Sequence, residues 1–204
     1  MSLALFAQSL LIGFSIAAPV GPIGLLTIQR TLQLGPRAGL ATGLGAAVAD
    51  AAYGAVGAFG VTTLIDALTA ARLPLAVGGG AFLLWLAFTI WRAPIADQAA
   101  EARGGTDLVR CFAGTFVLTL SNPATILSFI AVFGAMAGSM TVTQPWTMIA
   151  GVLVGSALWW LVLSSVVGRL RERFDVRWRR RVNIASACVL AGFALWQFAQ
   201  LLRG

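Results

Sequence analysis

One carboxylate stands deep inside an apolar stretch of this chain. Asp50 follows twelve uncharged residues, 38–49, and precedes fifteen more, 51–65. A carboxylate in an apolar medium is costly as an anion and cheap once protonated, so the chemistry it offers is reversible proton binding or recognition of a cation. The bland alternative is a structural hydrogen bond to a neighbouring helix. Tyr53 shares its helix face at i+3. It either lines the same cavity or places its hydroxyl on Asp50. A second polar set is Asn122 with Thr119, Ser121 and Thr125. The Asn122 amide either donates to a substrate carboxylate or satisfies a backbone carbonyl. A third group is Pro19, Gly21, Pro22 and Pro123. Proline has no N–H, so the carbonyl four residues back loses its donor. Those carbonyls are Ser15, Ala18 and Thr119, and each must find protein, water or a ligand. The remaining acids, Asp66, Asp97, Glu101, Asp107, Glu172 and Asp175, fall in connections or near span ends and read as solvated.

Missing residue types narrow the chemistry. All 14 basic residues are arginine, and there is no histidine. Without lysine there is no P-loop and no Schiff-base catalyst. Without histidine there is no histidine–zinc site and no Ser-His-Asp triad. Cys111 and Cys188 lie far apart, form no C-x-x-C pair and read as small packing residues. No metal, no cofactor and no enzyme activity are expected.

The elements that position these groups follow from composition. Of 204 residues, 59% are hydrophobic and 10% charged, and the mean hydropathy is +0.89. Soluble domains run nearer ~45–50% apolar and ~25% charged. The chain therefore reads as one membrane domain, 1–204, with lipid as its solvent. Apolar runs place spans at about 3–29, 38–65, 72–91, 108–136, 146–168 and 182–202, each able to cross a hydrocarbon core of ~30 Å. The runs lack the alternation of barrel strands, so they are helices. No basic residue precedes the first span, so it reads as retained rather than as a cleaved leader.

Arginine placement sets the topology. Twelve of the fourteen fall in the connections after spans 1, 3 and 5, from Arg30 to Arg181, and only Arg72 and Arg203 fall opposite. The positive-inside rule puts the twelve in the cytoplasm and both termini outside. The net charge of +7 thus anchors the chain beside anionic lipid headgroups, and no nucleic-acid partner is expected. Trp91, Trp146 and Trp178 read as interface belt residues. Trp159 and Trp160 read as packing.

The two halves match. Gly13 precedes Pro22 by nine residues, and Gly114 precedes Pro123 by nine. Gly39-x-x-x-Gly43 and Gly151-x-x-x-Gly155 suit close helix packing in the following span of each half. Three spans per half, an odd number, force opposite orientations. The expected fold is an all-α integral membrane protein of six transmembrane helices. It forms a 3+3 inverted repeat with broken helices 1 and 4. Repeat 1 covers about 1–91, the linker 92–107 and repeat 2 about 104–204. Paired breaks in inverted halves point to a secondary transporter's midplane site.

Pro19-Val20-Gly21-Pro22, Gly39 to Gly43 running on to Asp50, and Asn122-Pro123 together resemble the lysine-exporter (LysE/RhtB) family of amino-acid translocators. The resemblance spans the whole chain and is strongest at 17–60. It implies a multi-pass protein of the bacterial inner membrane that exports amino acids, driven by protons. The family's Pro-Gly-Pro maps onto Pro19, Gly21 and Pro22, which Val20 splits here, and its second-span aspartate onto Asp50. A zwitterion needs an anion site, which a half-helix N-terminus after Pro22 or Pro123 offers, and a cation site, which freed carbonyls and Asp50 offer. The alternative is transport of another small solute or cation. The oligomeric state is left open, a homo-oligomer included.

Overall fold

A computed structural model of the chain describes residues 2–19, 21–59, 72–92, 105–122, 125–126, 128–129, 144–171 and 176–203. These residues form seven helices and no strand. They are α1 Leu3–Ala17, α2 Pro22–Leu34, α3 Pro36–Ala58, α4 Arg72–Arg92, α5 Gly105–Leu120, α6 Pro145–Leu170 and α7 Val176–Arg203. Helix α6 is by itself long and apolar enough to cross a bilayer, at 26 residues and a mean hydropathy of 2.0 over its most apolar window. Helices α1 and α2 pass the same test as a bent pair, with 78° between them. The bend falls where the sequence breaks. Pro19 and Pro22 cannot donate, and Gly21 is extended at φ −97° and ψ −162°. The far ends of the spans expected at 38–65 and 108–136, and Pro123 with them, lie outside the described residues.

Small residues determine which helices touch. Helix α1 packs chiefly on α6, α3 on both α5 and α6, and α4 on α7. Glycines sit at the closest approaches. A Cβ on Gly155 would overlap the Leu10 carbonyl and come within 2.9 Å of the Phe14 nitrogen. A Cβ on Gly45 would overlap the Phe112 carbonyl and come within 3.1 Å of the Phe116 nitrogen. Each glycine therefore seats against a carbonyl and the amide four residues on, in the first helix of the other sequence half. Gly13, Gly39, Gly43 and Gly151 also meet neighbours closely, as the small-residue spacing predicts. An apolar core of Leu26, Leu83, Leu86, Ile90, Leu118 and Leu190 joins α2, α4, α5 and α7. Leu158, Leu161, Val162 and Val166 on α6 are exposed, as lipid-facing positions are. Trp91 and Trp146 are exposed too, at 63% and 73%, as interface residues are.

The arginines correct the expected element ends. Arg30 was expected in a connection, but α2 continues to Leu34 and holds it in helix. Its Nη1 donates to Thr42 Oγ1 at 3.1 Å, the Cys111 carbonyl at 3.0 Å and Thr115 Oγ1 at 3.1 Å. Polar groups from α3 and α5 thus receive a guanidinium that arginine's good helix propensity keeps within α2. Helix α7 likewise starts at Val176, taking Arg177 and Arg179 to Arg181 into its first turns. At the end of α6, Arg171 donates from Nε to the Leu32 carbonyl at 3.1 Å and from Nη2 to the Gln33 carbonyl at 3.3 Å. It thereby covers carbonyls that the end of α2 leaves open. Gln33 Nε2 donates to Asn183 Oδ1 at 2.9 Å. Residues 30–37, 111–115, 171 and 183 therefore gather at one end. At the other, the Ser2 amide donates to Gln144 Oε1 at 2.8 Å, and Phe59 meets Trp146 edge-on at 5.5 Å.

Candidate functional site

The break between α1 and α2 opens a cavity of about 260 Å³. Pro19, Gly21, Pro22, Asp50, Thr119, Asn122 and Thr125 line it, so seven of the ten residues singled out from sequence meet in one place. Gly21 precedes the first turn of α2 and makes no side-chain cap. The amides that a helix leaves unpaired at its N-terminus therefore lie beside the cavity, with the positive end of the helix dipole.

Asp50 is 4% exposed and comes from the middle of α3. Ser156 Oγ on α6 donates to Asp50 Oδ2 at 2.7 Å, and Trp160 Nε1 donates to Ser156 Oγ at 3.2 Å. One helical turn separates Ser156 from Trp160, which is why both reach this network. Trp160 also lines the cavity and packs on Gly43. Packing alone was expected of it. Ser156 and Phe193, which brings α7 to the cavity wall, had no signal in the sequence beyond lying in apolar helices. Ser156 falls one residue after Gly155, and that close seam was the one hint available.

Tyr53 takes a different role from either expectation. It is absent from the cavity lining. Its hydroxyl donates to the Leu120 carbonyl at 2.6 Å, and its ring stacks on Phe129 at 5.5 Å. The rigid phenol carries its hydroxyl across to the end of α5, past the carboxylate one turn back. The Thr119 carbonyl, expected to be freed, accepts instead from the Asn122 amide at 3.2 Å, because the chain tightens into a turn as α5 ends. Pro123 lies outside the described residues. Thr119 itself is 1% exposed, and its hydroxyl oxygen has no hydrogen-bond partner among the described residues. No group of three His, Cys, Asp or Glu side chains gathers among the described residues to hold a metal.

Among the described residues, the arrangement puts one carboxylate, a helix N-terminus and a mixed wall of apolar and uncharged polar side chains around a small cavity inside a bundle. Such a cavity has the size and polar groups to hold a small polar molecule. The chain is also similar to known membrane proteins. The chain is 33% identical over 175 residues to the uncharacterized membrane protein YahN of Escherichia coli strain K12, covering 83% of this chain and 78% of the relative. It is 28% identical over 200 residues to the chemotactic transduction protein ChpE of Pseudomonas aeruginosa, covering 94% and 96%. It is 23% identical over 194 residues to the arginine exporter protein ArgO of Escherichia coli strain K12, covering 93% and 91%. No solved structure matches it. The family model described as LysE type translocator matches residues 14–200, and the chain belongs to that family of membrane transporters.

Proposed function

We propose that this chain is a secondary transporter that exports amino acids or related small metabolites from the cytoplasm, coupled to the proton motive force through Asp50. The observation that carries this reading is the buried Asp50 carboxylate lining the cavity at the helix break. A site with one carboxylate binds either a proton or the ammonium group of a substrate. Exchanging one for the other across the membrane is antiport, and protonation lets the empty site reorient without carrying net charge through lipid. Pro19, Gly21, Pro22, Thr119 and Asn122 form the substrate site around Asp50, with Pro123 as the counterpart of Pro22. Tyr53 supports the site by holding the end of α5.

The helix pairing supports an inverted repeat, with α1 and α2 answering to α5, α3 to α6, and α4 to α7. Under that exchange the α1–α6 pair maps onto α5–α3, and α3–α6 and α4–α7 map onto themselves; these are the most extensive packings among the described residues, beside which α2 also packs on α3. The twelve-to-two arginine split supports a multi-pass inner-membrane protein with the arginine-rich end in the cytoplasm.

Efflux from intact cells tests the function. Cells expressing the chain are loaded with amino acids, and release is followed with and without a protonophore. Release should exceed that of cells lacking the chain and should collapse with the protonophore. Release unaffected by the protonophore would remove the coupling, and no release of any amino acid would remove the function.

A further inference from the structure

Several hydroxyls of these helices follow one habit; Thr119 departs from it, as do the buried Ser164 and Ser186, and of these three Thr119 lines the cavity. Ser9, Thr27, Thr31, Thr42, Thr89 and Thr115 each donate to the carbonyl four residues back, at 2.7 to 2.9 Å. That bond is the default for a hydroxyl that has no water to meet. Thr119 sits one turn after Thr115 on the same helix and does not make it. Its side chain is buried, lines the cavity beside Gly21 and Pro22, and holds an unused hydroxyl. A buried hydroxyl without a partner is costly unless a ligand completes it. Together with the uncapped first turn of α2, it supplies hydrogen-bond donors to an anion.

The opposite pole is the Asp50 carboxylate, and no other acidic side chain lines the cavity among the described residues. In the sequence no Asp or Glu precedes Asp50, and none lies between Asp107 and Glu172. The rest of the wall combines apolar Ile16, Ala17, Ala46, Trp160 and Phe193 with the uncharged polar Asn122, Thr125 and Ser128. A ligand with one ammonium and one carboxylate uses both poles and leaves its side chain against that wall. A lysine- or arginine-like side chain would bring a second cation with no carboxylate to meet it, at the cost of burying an unpaired charge. An acidic side chain would lack a buried cation in the same way. The volume of about 260 Å³ lies at the small end for ligand sites and suits a single amino acid.

We infer that the cavity takes amino acids with small to medium, uncharged side chains, their carboxylate held by Thr119 and the first turn of α2 and their ammonium by Asp50. This rests on the export function proposed above and adds the substrate class. Relatives in the family need not share it, since the class depends on how many carboxylates a given cavity holds.

The full chain reconstituted in vesicles tests it, with labelled L-leucine, L-valine, L-threonine, L-arginine and L-lysine as cargo. The uncharged three should move at least about tenfold faster than the basic two. Equal or faster movement of arginine or lysine overturns the inference and leaves the export function standing. Movement of none of the five, nor of any other amino acid, overturns the export function itself. Thr119→Val keeps the shape and removes the hydroxyl. It should raise the half-saturating leucine concentration about tenfold, while Thr119→Ser stays near the unmutated protein. Leucinamide, which lacks the carboxylate, should compete poorly against the unmutated protein, and Thr119→Val should narrow the gap between leucine and leucinamide. An unchanged half-saturation in Thr119→Val would overturn the role of Thr119.

Discussion

Asp50 accepts from Ser156, and Ser156 accepts in turn from Trp160. This chain of donors fixes the carboxylate toward the cavity and makes it sensitive to changes on α6. Asp50→Asn keeps the shape and removes the charge, so the variant should insert and fold. Net efflux driven by a proton gradient should collapse. Exchange at equal pH should persist at a higher half-saturation, since the amide oxygen still accepts from an ammonium group. Asp50→Glu should keep partial activity with a displaced pH profile. Net efflux, exchange and expression measured together check all three, and wild-type net efflux in Asp50→Asn would reduce Asp50 to a structural hydrogen-bonder. Ser156→Ala removes this donor and should lower net efflux about tenfold, as expected for a hydrogen bond to a charged group. In the Asp50→Asn background the same change should have little effect, because the two residues act as a unit. Additive losses in the double variant would separate Ser156 from Asp50.

Among the elements, glycine seams hold the bundle where lipid supplies no hydrophobic drive between helices. Gly155 and Gly45 sit against backbone, which cannot swing away as a long side chain would. Gly155→Ala should therefore push α6 off α1 and lower thermal stability in detergent, on the order of 1–3 kcal/mol as overpacking costs elsewhere. Gly192 has nothing within 4 Å of an added Cβ. Gly192→Ala should leave stability unchanged or raise it slightly through helix propensity. Equal melting temperatures for Gly155→Ala and the unmutated protein would show that the seam yields. The broken pair α1–α2 plays the opposite part. It gives up helical hydrogen bonds near Gly21 and thereby delivers a helix N-terminus to the cavity, which an unbroken helix cannot do.

At the scale of the whole molecule, the two ends of the bundle differ in charge. Arg30, Arg37 and Arg171 gather at one end through contacts of α2, α3 and α6, while Ser2, Phe59 and Trp146 gather at the other. Orientation in the membrane follows from which end stays with the anionic cytoplasmic leaflet. On a background lacking Cys111 and Cys188, Ser2→Cys should react with an impermeant thiol reagent in intact cells. Arg37→Cys, at an exposed position on the arginine-rich end, should react only after lysis. The reverse pattern would invert the topology.

Composition alone determined that this is a chain of apolar helices. An excess of apolar residues with only 10% charged admits few other folds, and backbone groups in lipid have no partners outside a helix. The sequence also marked the break at Pro19 to Pro22, because a missing N–H is a local fact that no tertiary context restores. Asp50 was legible for the same reason, as a lone charge whose cost is set by the apolar residues around it. The partners of these groups were not legible. Ser156, Trp160 and Phe193 reach the cavity only because α6 and α7 pack where glycine lets them, and nothing local distinguishes them from lipid-facing or core residues. Tyr53 shares a face with Asp50 in the sequence pattern, yet its hydroxyl is spent on α5, since the reach of a side chain is decided by the helix opposite. Arg30 looked like a loop charge until the polar groups of α3 and α5 gave it a place inside the bundle. The unpartnered hydroxyl of Thr119 is the clearest case. Thr115 and Thr119 are the same residue type one turn apart, and only tertiary structure left one bonded to its own helix and the other buried without a partner among the described residues.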